Sequence, residues 1–330
     1  MTICIISDAH LFHPKAITPK EYNELLVNIQ SCVDIFVDCG DLTDKSNLTA
    51  AQIDELSQVY KNIVKPVYIV SGNHDTLSGT TVASLFRLQK NIKVITEPSI
   101  VDDMLFIPYT DNIKELCYKL RSMVEKPVQF AFSHLNVTNN IYATLPIKEV
   151  NVLYKFADTW FNGHVHTPEK SESIYGNFYN VGSCSSLTYG DEHFPCYTLF
   201  TTKTKERITK TIEDSLVHKT FKTDCPIIDT LELITTSPTY AKHQFCFRFL
   251  LPNNSSSLEL RREIKNYCNK DERIKEVRFD YIKNSQENQK LKEIQQKTKD
   301  NKPLIMQLFE QYENDCQNLS EELKKELLQI

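Results

Sequence analysis

Glycine is scarce, with seven in 330 residues. Four of them, Gly40, Gly72, Gly163 and Gly182, stand where an apolar run meets a polar cluster. On so low a background, such placements mark points where the backbone turns sharply or is closely approached. The ten cysteines include no Cys-x-x-Cys pair, so a zinc-ribbon or thioredoxin-like motif is excluded. Cys4 and Cys39 lie inside apolar runs and read as small buried hydrophobes in a reducing compartment, not as a disulfide framework. No apolar run approaches the roughly 20 residues that a membrane-spanning helix needs. The opening MTICIISD has no basic segment before its apolar run, so no secretory signal is expected. Positive charge is not in excess either. The formal net charge is -5, which disfavours a free-standing, non-specific nucleic-acid binder. A DNA substrate stays possible if bound cations or a partner supply the positive charge. A soluble, cytoplasmic protein is expected.

Hydrophobic residues make up 41% of the chain and charged residues 25%, an ordinary globular composition. The length suggests about two domains. Short runs rich in Val, Ile and Phe occur at residues 2–6, 34–39, 66–70, 92–96, 128–132 and 159–161. They are nearly continuous in apolar character, as buried strands are. Helical patterns separate them at 20–31, 49–63, 81–89 and 112–123. Strands alternating with helices predict an α/β sandwich. Residues 171–179 and 196–212 read as antiparallel strands that complete its sheets.

A second unit is expected from about residue 221. Strands are predicted at 227–234, 244–251 and 274–282, and a helix at 258–268, which together form a small α+β unit. Residues 284–302 are rich in Lys, Gln and Glu and read as a linker or a solvated helix. From Pro303 two amphipathic helical stripes follow, Leu304, Ile305, Leu308, Phe309 and Tyr312, then Leu319, Leu323, Leu327 and Ile330. These helices either pack on their own domain or dock a partner.

Five polar clusters follow five strand candidates: SDAH at residues 7–10, Gly40-Asp41, GNHD at 72–75, Ser133-His134 and GHVH at 163–166. In open α/β sheets, ligands bind just beyond the carboxyl ends of the strands. The residue types suit divalent cations. Asp is hard, anionic and able to bridge two ions, imidazole suits Mn, Fe or Zn, and an Asn oxygen is a neutral ligand. In D-x-H and H-x-H, side chains two apart on an extended segment point the same way. Two metals about 4 Å apart can activate a water and stabilise in-line displacement at phosphorus. An isolated His near a strand end is more often a cap or a surface residue, and His13, His193, His218 and His243 are read so.

In this order, D-x-H, GD, GNHD, a lone His and GHxH resemble the calcineurin-like metallophosphoesterases. The resemblance implies a β-sandwich flanked by helices and a centre of two divalent metal ions, Mn2+ first and Mg2+ second in preference. Carried over by position, Asp8, His10 and His166 are ligands of the first metal and Asp41 is the bridge. Asn73, His134 and His164 are ligands of the second. His74 is the catalytic non-ligand histidine that protonates the leaving oxygen, oriented by Asp75.

Beyond GHVH, the segment FYNVGSCSSLTYGDE at residues 178–192 resembles a loop of the SbcD-type DNA-repair nucleases, including phage and bacterial recombination endonuclease subunits. The order of units is similar as well. That resemblance implies a metallophosphoesterase nuclease domain at 1–220, an α+β capping domain at 221–283 that binds DNA, and C-terminal helices at 284–330 that dock an SMC-like coiled-coil ATPase. It also implies a homodimer with DNA exo- and endonuclease activity. The chain departs from the family at Asp44, where some members carry histidine. Two other readings are a small-molecule phosphodiesterase of the same fold, acting for example on cyclic nucleotides, and a metal-binding scaffold without turnover. His74 argues against the scaffold.

Overall fold

The computed structural model describes residues 1–281, apart from 78, 139–144, 174–175, 192, 223–225, 239–240 and 252–255. Two six-stranded sheets pack face to face. The first runs in the order Glu206–Thr211, Cys196–Thr201, Thr2–Ile6, Ile35–Asp38, Val67–Val70, Ile92–Ile95. Its last four strands are parallel. The second runs Glu169–Ser173, Gly176–Asn180, Ala157–Asn162, Val128–Ser133, Met104–Ile107, Ser99–Val101, with its four central strands parallel.

Each sheet is buried on both faces, which explains the continuous apolar runs. Alternation along a strand then sorts side chains between two cores. Ile3 and Ile5 point into the interface between the sheets with Phe106, Phe130, Phe132, Phe161 and Phe200. Cys4 and Ile6 point the other way, onto the outer helices with Tyr22, Leu26 and Tyr60. Phe130 and Phe132 face inward, whereas Ala131 faces outward with Leu116, Leu120 and Trp160.

The helices begin where the sequence supplies caps. Helix α1, Pro19–Ile29, opens on a Thr18/Glu21 capping box, and α2, Ala50–Ser57, on a Thr49/Gln52 box. In each, the hydroxyl and the N3 side chain satisfy amide groups that the first turn leaves unbonded. Tyr22, Leu26 and Ile29 bury one face of α1. α2 is shorter than the 49–63 pattern predicts. After it the chain tightens into i to i−3 bonds, Gln58 to Glu55, Val59 to Leu56 and Ile63 to Tyr60. Val59, Tyr60 and Ile63 still reach the core. The pattern at 81–89 is likewise a 3-10 helix, Val82–Leu88, burying Ala83 and Phe86 three residues apart. Helix α3, Ile113–Met123, starts at Asn112, whose side chain accepts from the Glu115 amide.

The hairpin Ser99–Val101/Met104–Ile107 carries no sequence signal, because its turn residues Asp102 and Asp103 adopt positive φ without glycine. The unit after the sandwich is a parallel sheet, Leu216–Lys222, Gln244–Leu251, Ile274–Tyr281. Its first strand lies mostly ahead of residue 221. Parallel neighbours need a crossover connection, and this corrects the strand expected at 227–234. That stretch is helix α4, Ile227–Thr236, burying Ile227 and Leu231 four residues apart. The second crossover is α5, Ser256–Cys268. Phe221, Phe245, Phe247, Phe249 and Ile264 share a separate core there. The linker and docking helices expected at 284–330 lie outside the described residues.

All eight described cysteines are free and seven of them are buried, in line with their reading as small hydrophobes. No helix among the described residues is long and apolar enough to cross a membrane. Trp160 is fully buried, stacks on Phe178 and donates its indole N–H to the Ala157 carbonyl at 3.1 Å. Trp160→Ala is expected to cost about 3–5 kcal/mol by urea denaturation. A loss under about 1 kcal/mol would show that this face does not anchor the fold.

Candidate metal centre

The parallel strands of both sheets end on the same rim, where all five polar clusters meet. Backbone bonds continue the pairing past the strands: Asp8 N to Gly40 O, His10 N to Asp41 O, His134 N to Ile107 O and Gly163 N to Ser133 O. The clusters are therefore fixed by extensions of the sheets. Asp8, His10, Asp41 and His164 all sit in the left-handed region, with φ of 53°, 47°, 53° and 69°. Non-glycine residues are uncommon there, and such strain concentrates at functional sites. Gly40 has φ of 101°, and a Cβ there would lie 2.5 Å from His134 Nδ1. A Cβ on Gly72 would strike the amide and carboxylate of Asp41. At both positions only hydrogen fits.

The side chains converge in groups suited to holding cations. Asp8, His10 and His166 form one, and Asp41, His134 and His164 another. In the first, the Nε2 atoms of His10 and His166 face each other at 3.2 Å, and lie 3.9 and 3.8 Å from Asp8 Oδ1. In the second, His164 Nδ1 and His134 Nε2 are 3.3 Å apart. Asn73 Oδ1 stands 2.9 Å from His164 Nδ1 and 3.3 Å from His134 Nε2. Asp41 Oδ2 lies 3.2 Å from His134 Nε2 and 3.9 Å from His10 Nε2, so one oxygen faces both groups.

The donor set fits divalent cations. Asp8 Oδ2 accepts from Ser7 Oγ and from the His164 amide, whereas Asp8 Oδ1 is buried with no hydrogen-bond donor. Such an oxygen is costly unless a cation satisfies it. His134 Nδ1 donates to the Cys39 carbonyl at 2.6 Å. A carbonyl only accepts, so Nδ1 carries a proton and Nε2 is the nitrogen at which a cation would replace the second proton. Burial opposes charge on His134, but Asp41 more than offsets it and raises the pKa to about 10. Burial pushes Asp41 upward, while His134, His10 and His74 hold it below the usual carboxylate range. Burial first, then His134, lowers His164 to about 4. The carboxylates thus make a locus that attracts positive charge, while burial and the neighbouring His134 keep His164 available as a neutral ligand.

His74 is exposed and differs from the rest. Its amide donates to Asp41 Oδ1 at 2.8 Å and its ring meets His10 edge-on, with centroids 4.8 Å apart. His10, Asp41 and His74 form a third group within ligand reach of one another. Its Nδ1 donates to the Asp44 carbonyl at 2.9 Å. That corrects the expectation that Asp75 orients it. Fully buried Asp75 instead accepts from the amides of Leu42, Thr43 and Gly72 and from Thr43 Oγ1, clamping the GD and GNHD loops together.

All eight motif residues meet at this rim, and His13, His193, His218 and His243 fall outside the three groups. Sequence reading missed Ser7, Tyr109 and Asp191. Ser7 sits inside the first motif. Tyr109, whose ring lies 5.5 Å from that of His164, follows a strand that carried no signal. Asp191 falls in the 178–192 segment, but no spacing rule singles it out.

No curated protein matches the chain. Solved structures that match include an archaeal phosphodiesterase, at 18% identity over 64% of this chain and 100% of that one, TM-score 0.39. Phosphopantetheinyl hydrolase from Mycobacterium tuberculosis matches at 11% identity over 55% and 89%, TM-score 0.37. Zinc-complexed Vps29 from Entamoeba histolytica matches at 16% over 64% and 98%, TM-score 0.32. The model of the calcineurin-like phosphoesterase family matches residues 1–168, which include every motif residue described above. The chain belongs to the calcineurin-like phosphoesterase family, a family of metal-dependent hydrolases of phosphate esters.

Proposed function

We propose that this chain is a two-metal phosphodiesterase acting on DNA, a nuclease subunit that prefers Mn2+. The observation that carries turnover is His74, an exposed imidazole beside both ligand groups. Its Nδ1 is held by the Asp44 carbonyl, which leaves Nε2 as the nitrogen not engaged by that bond. Asp8, His10 and His166 would hold one cation, and Asn73, His134 and His164 the other, with Asp41 Oδ2 shared. Bound there, the cations would acidify a water and neutralise charge on the phosphate. Asp41 keeps the His74 backbone against the site, and the Asp44 carbonyl holds the ring at Nδ1–H, so that in its imidazolium form His74 can give the Nε2 proton to the leaving oxygen and revert to the neutral ring.

The DNA reading draws support from the loop at 183–191 and from the parallel sheet beyond it. That sheet contacts the loop that follows His10, through Lys15 Nζ and Glu276 at 2.6 Å. The reading extends to a homodimer and to an SMC-like ATPase docked by residues 303–330. One feature favours a second reading, a small-molecule phosphodiesterase. A cleft of about 320 Å³ beside the second ligand group is lined by Asn73, Thr76, Thr81, Thr96 and Tyr109, with no Lys or Arg among the described residues of its lining.

The test offers linear duplex DNA, bis-p-nitrophenyl phosphate and cyclic nucleotides to the full chain with Mn2+, then adds EDTA. Duplex cleavage abolished by EDTA is the expected result. Hydrolysis of the small diesters alone, with or without a candidate ATPase, would replace the nuclease reading by the second one. Deleting residues 303–330 should abolish ATPase binding and spare hydrolysis of the small diester.

A further inference from the structure

Asp191 lies outside the motifs yet touches a member of the first ligand group. Its Oδ1 accepts from His166 Nδ1 at 3.0 Å. Its Oδ2 accepts from the amides of Leu187 and Thr188 at 3.0 and 2.9 Å and from Thr188 Oγ1 at 3.3 Å. The loop's own donors therefore hold one oxygen and aim the other at the imidazole. The loop is tied down at both ends. Ser183 Oγ donates to the Asp8 carbonyl at 2.7 Å, and Ser185 Oγ to the Ala9 carbonyl at 2.8 Å. Ser186 Oγ donates to the Asp191 carbonyl at 3.0 Å and accepts from the His218 amide at 3.2 Å. This segment thus links the Asp8 loop, the His166 ring and the parallel sheet of the C-terminal unit.

A neutral imidazole carries its proton on one nitrogen, and the fixed partner decides which. An ionised carboxylate only accepts, so Nδ1 of His166 keeps the proton. Its lone pair is then on Nε2, the atom facing His10 Nε2 and Asp8 Oδ1. Building on the metal-dependent reading above, we propose that Asp191 is a positioning residue. It sets the tautomer and ring angle of His166 and thereby the affinity of the first metal. Both carboxylate oxygens of Asp191 are engaged by protein donors, and it acts through the imidazole alone.

Asp191→Asn separates this role from loop integrity. The donors of Leu187 and Thr188 would retain the amide oxygen, turning the –NH2 toward His166. The ring must then accept at Nδ1 and protonate at Nε2, the wrong tautomer for a ligand. Thr188→Val removes the two loop bonds of its hydroxyl, to Asp191 Oδ2 and from the Gly190 amide, and leaves the bond between the carboxylate and His166 in place. Nitrogen-15 NMR of the histidine rings in the metal-free full chain, followed to alkaline pH because, against the effect of burial, Asp191 raises the His166 pKa, reads the tautomer of the neutral ring, and calorimetric titration with Mn2+ reads affinity.

The expected result is a switch from Nδ1–H to Nε2–H at His166 in Asp191→Asn, with the first Mn2+ bound about 10- to 100-fold more weakly. Thr188→Val should keep the wild-type tautomer and affinity. An unchanged tautomer in Asp191→Asn, or equal weakening in both variants, would overturn the proposal. If the wild-type chain bound no Mn2+, the metal reading would fail, and the NMR result would still judge the role of Asp191 at His166.

Discussion

Asp41→Asn is expected to abolish phosphodiester hydrolysis and lower the metal content of the protein. Asp41 is buried, with one oxygen taken by the His74 amide and the other facing both ligand groups. The amide removes the negative charge shared between those groups. It also places either an N–H or a neutral oxygen where a carboxylate oxygen faces both ligand groups. Each bound metal would contribute several kcal/mol of charge stabilisation in the transition state. At about 1.36 kcal/mol per decade of rate, losing one of them corresponds to a fall of about 10³-fold or more. The measurement is kcat/KM on bis-p-nitrophenyl phosphate with saturating Mn2+, alongside metal per chain by mass spectrometry. Activity within tenfold of wild type at full metal content would remove Asp41 from the centre.

His74→Ala should behave differently. A positioned general acid contributes about 10²- to 10⁴-fold, so kcat is expected to fall by that factor. Mn2+ affinity should stay within a few-fold of wild type, because neither proposed ligand set uses His74. Its ring does lie within ligand reach of His10 and Asp41, which makes the contrast decisive. If metal binding dropped in His74→Ala as far as in Asp41→Asn, His74 would be a ligand. If the rate were unchanged, the leaving oxygen would take its proton from elsewhere. In both variants the fold should persist, since Asp75 and its backbone donors clamp the same loops independently of His74.

Much of this was legible in the chain, for a physical reason. A strand buried on both faces must be apolar throughout, and a cluster at its carboxyl end must be polar. The alternation of the two therefore appears directly in residue order. Capping boxes at Thr18 and Thr49 are local by construction, because their partners stand three residues on. The eight site residues were readable as donor types at strand ends, and the sheets then bring those ends to one rim.

Other features were not readable, because propensity and tertiary context disagreed. Residues 227–234 carry three Ile and one Thr, which favour strands in isolation. The parallel pairing of Leu216–Lys222 with Gln244–Leu251 requires a crossover, and the segment is helical. The turn at Asp102-Asp103 has no glycine to announce it.

By itself, then, the sequence determined which donors exist, in what order, and that strands would carry them to a common edge. Only the tertiary structure decided who holds whom. The carbonyl that fixes His74 belongs to Asp44, 30 residues away, and the carboxylate that fixes His166 belongs to Asp191, 25 residues away. Neither pairing follows a helical or strand period. Each depends on how two loops are pinned against each other by backbone bonds, and that is set by the packing of the whole sandwich rather than by any local pattern.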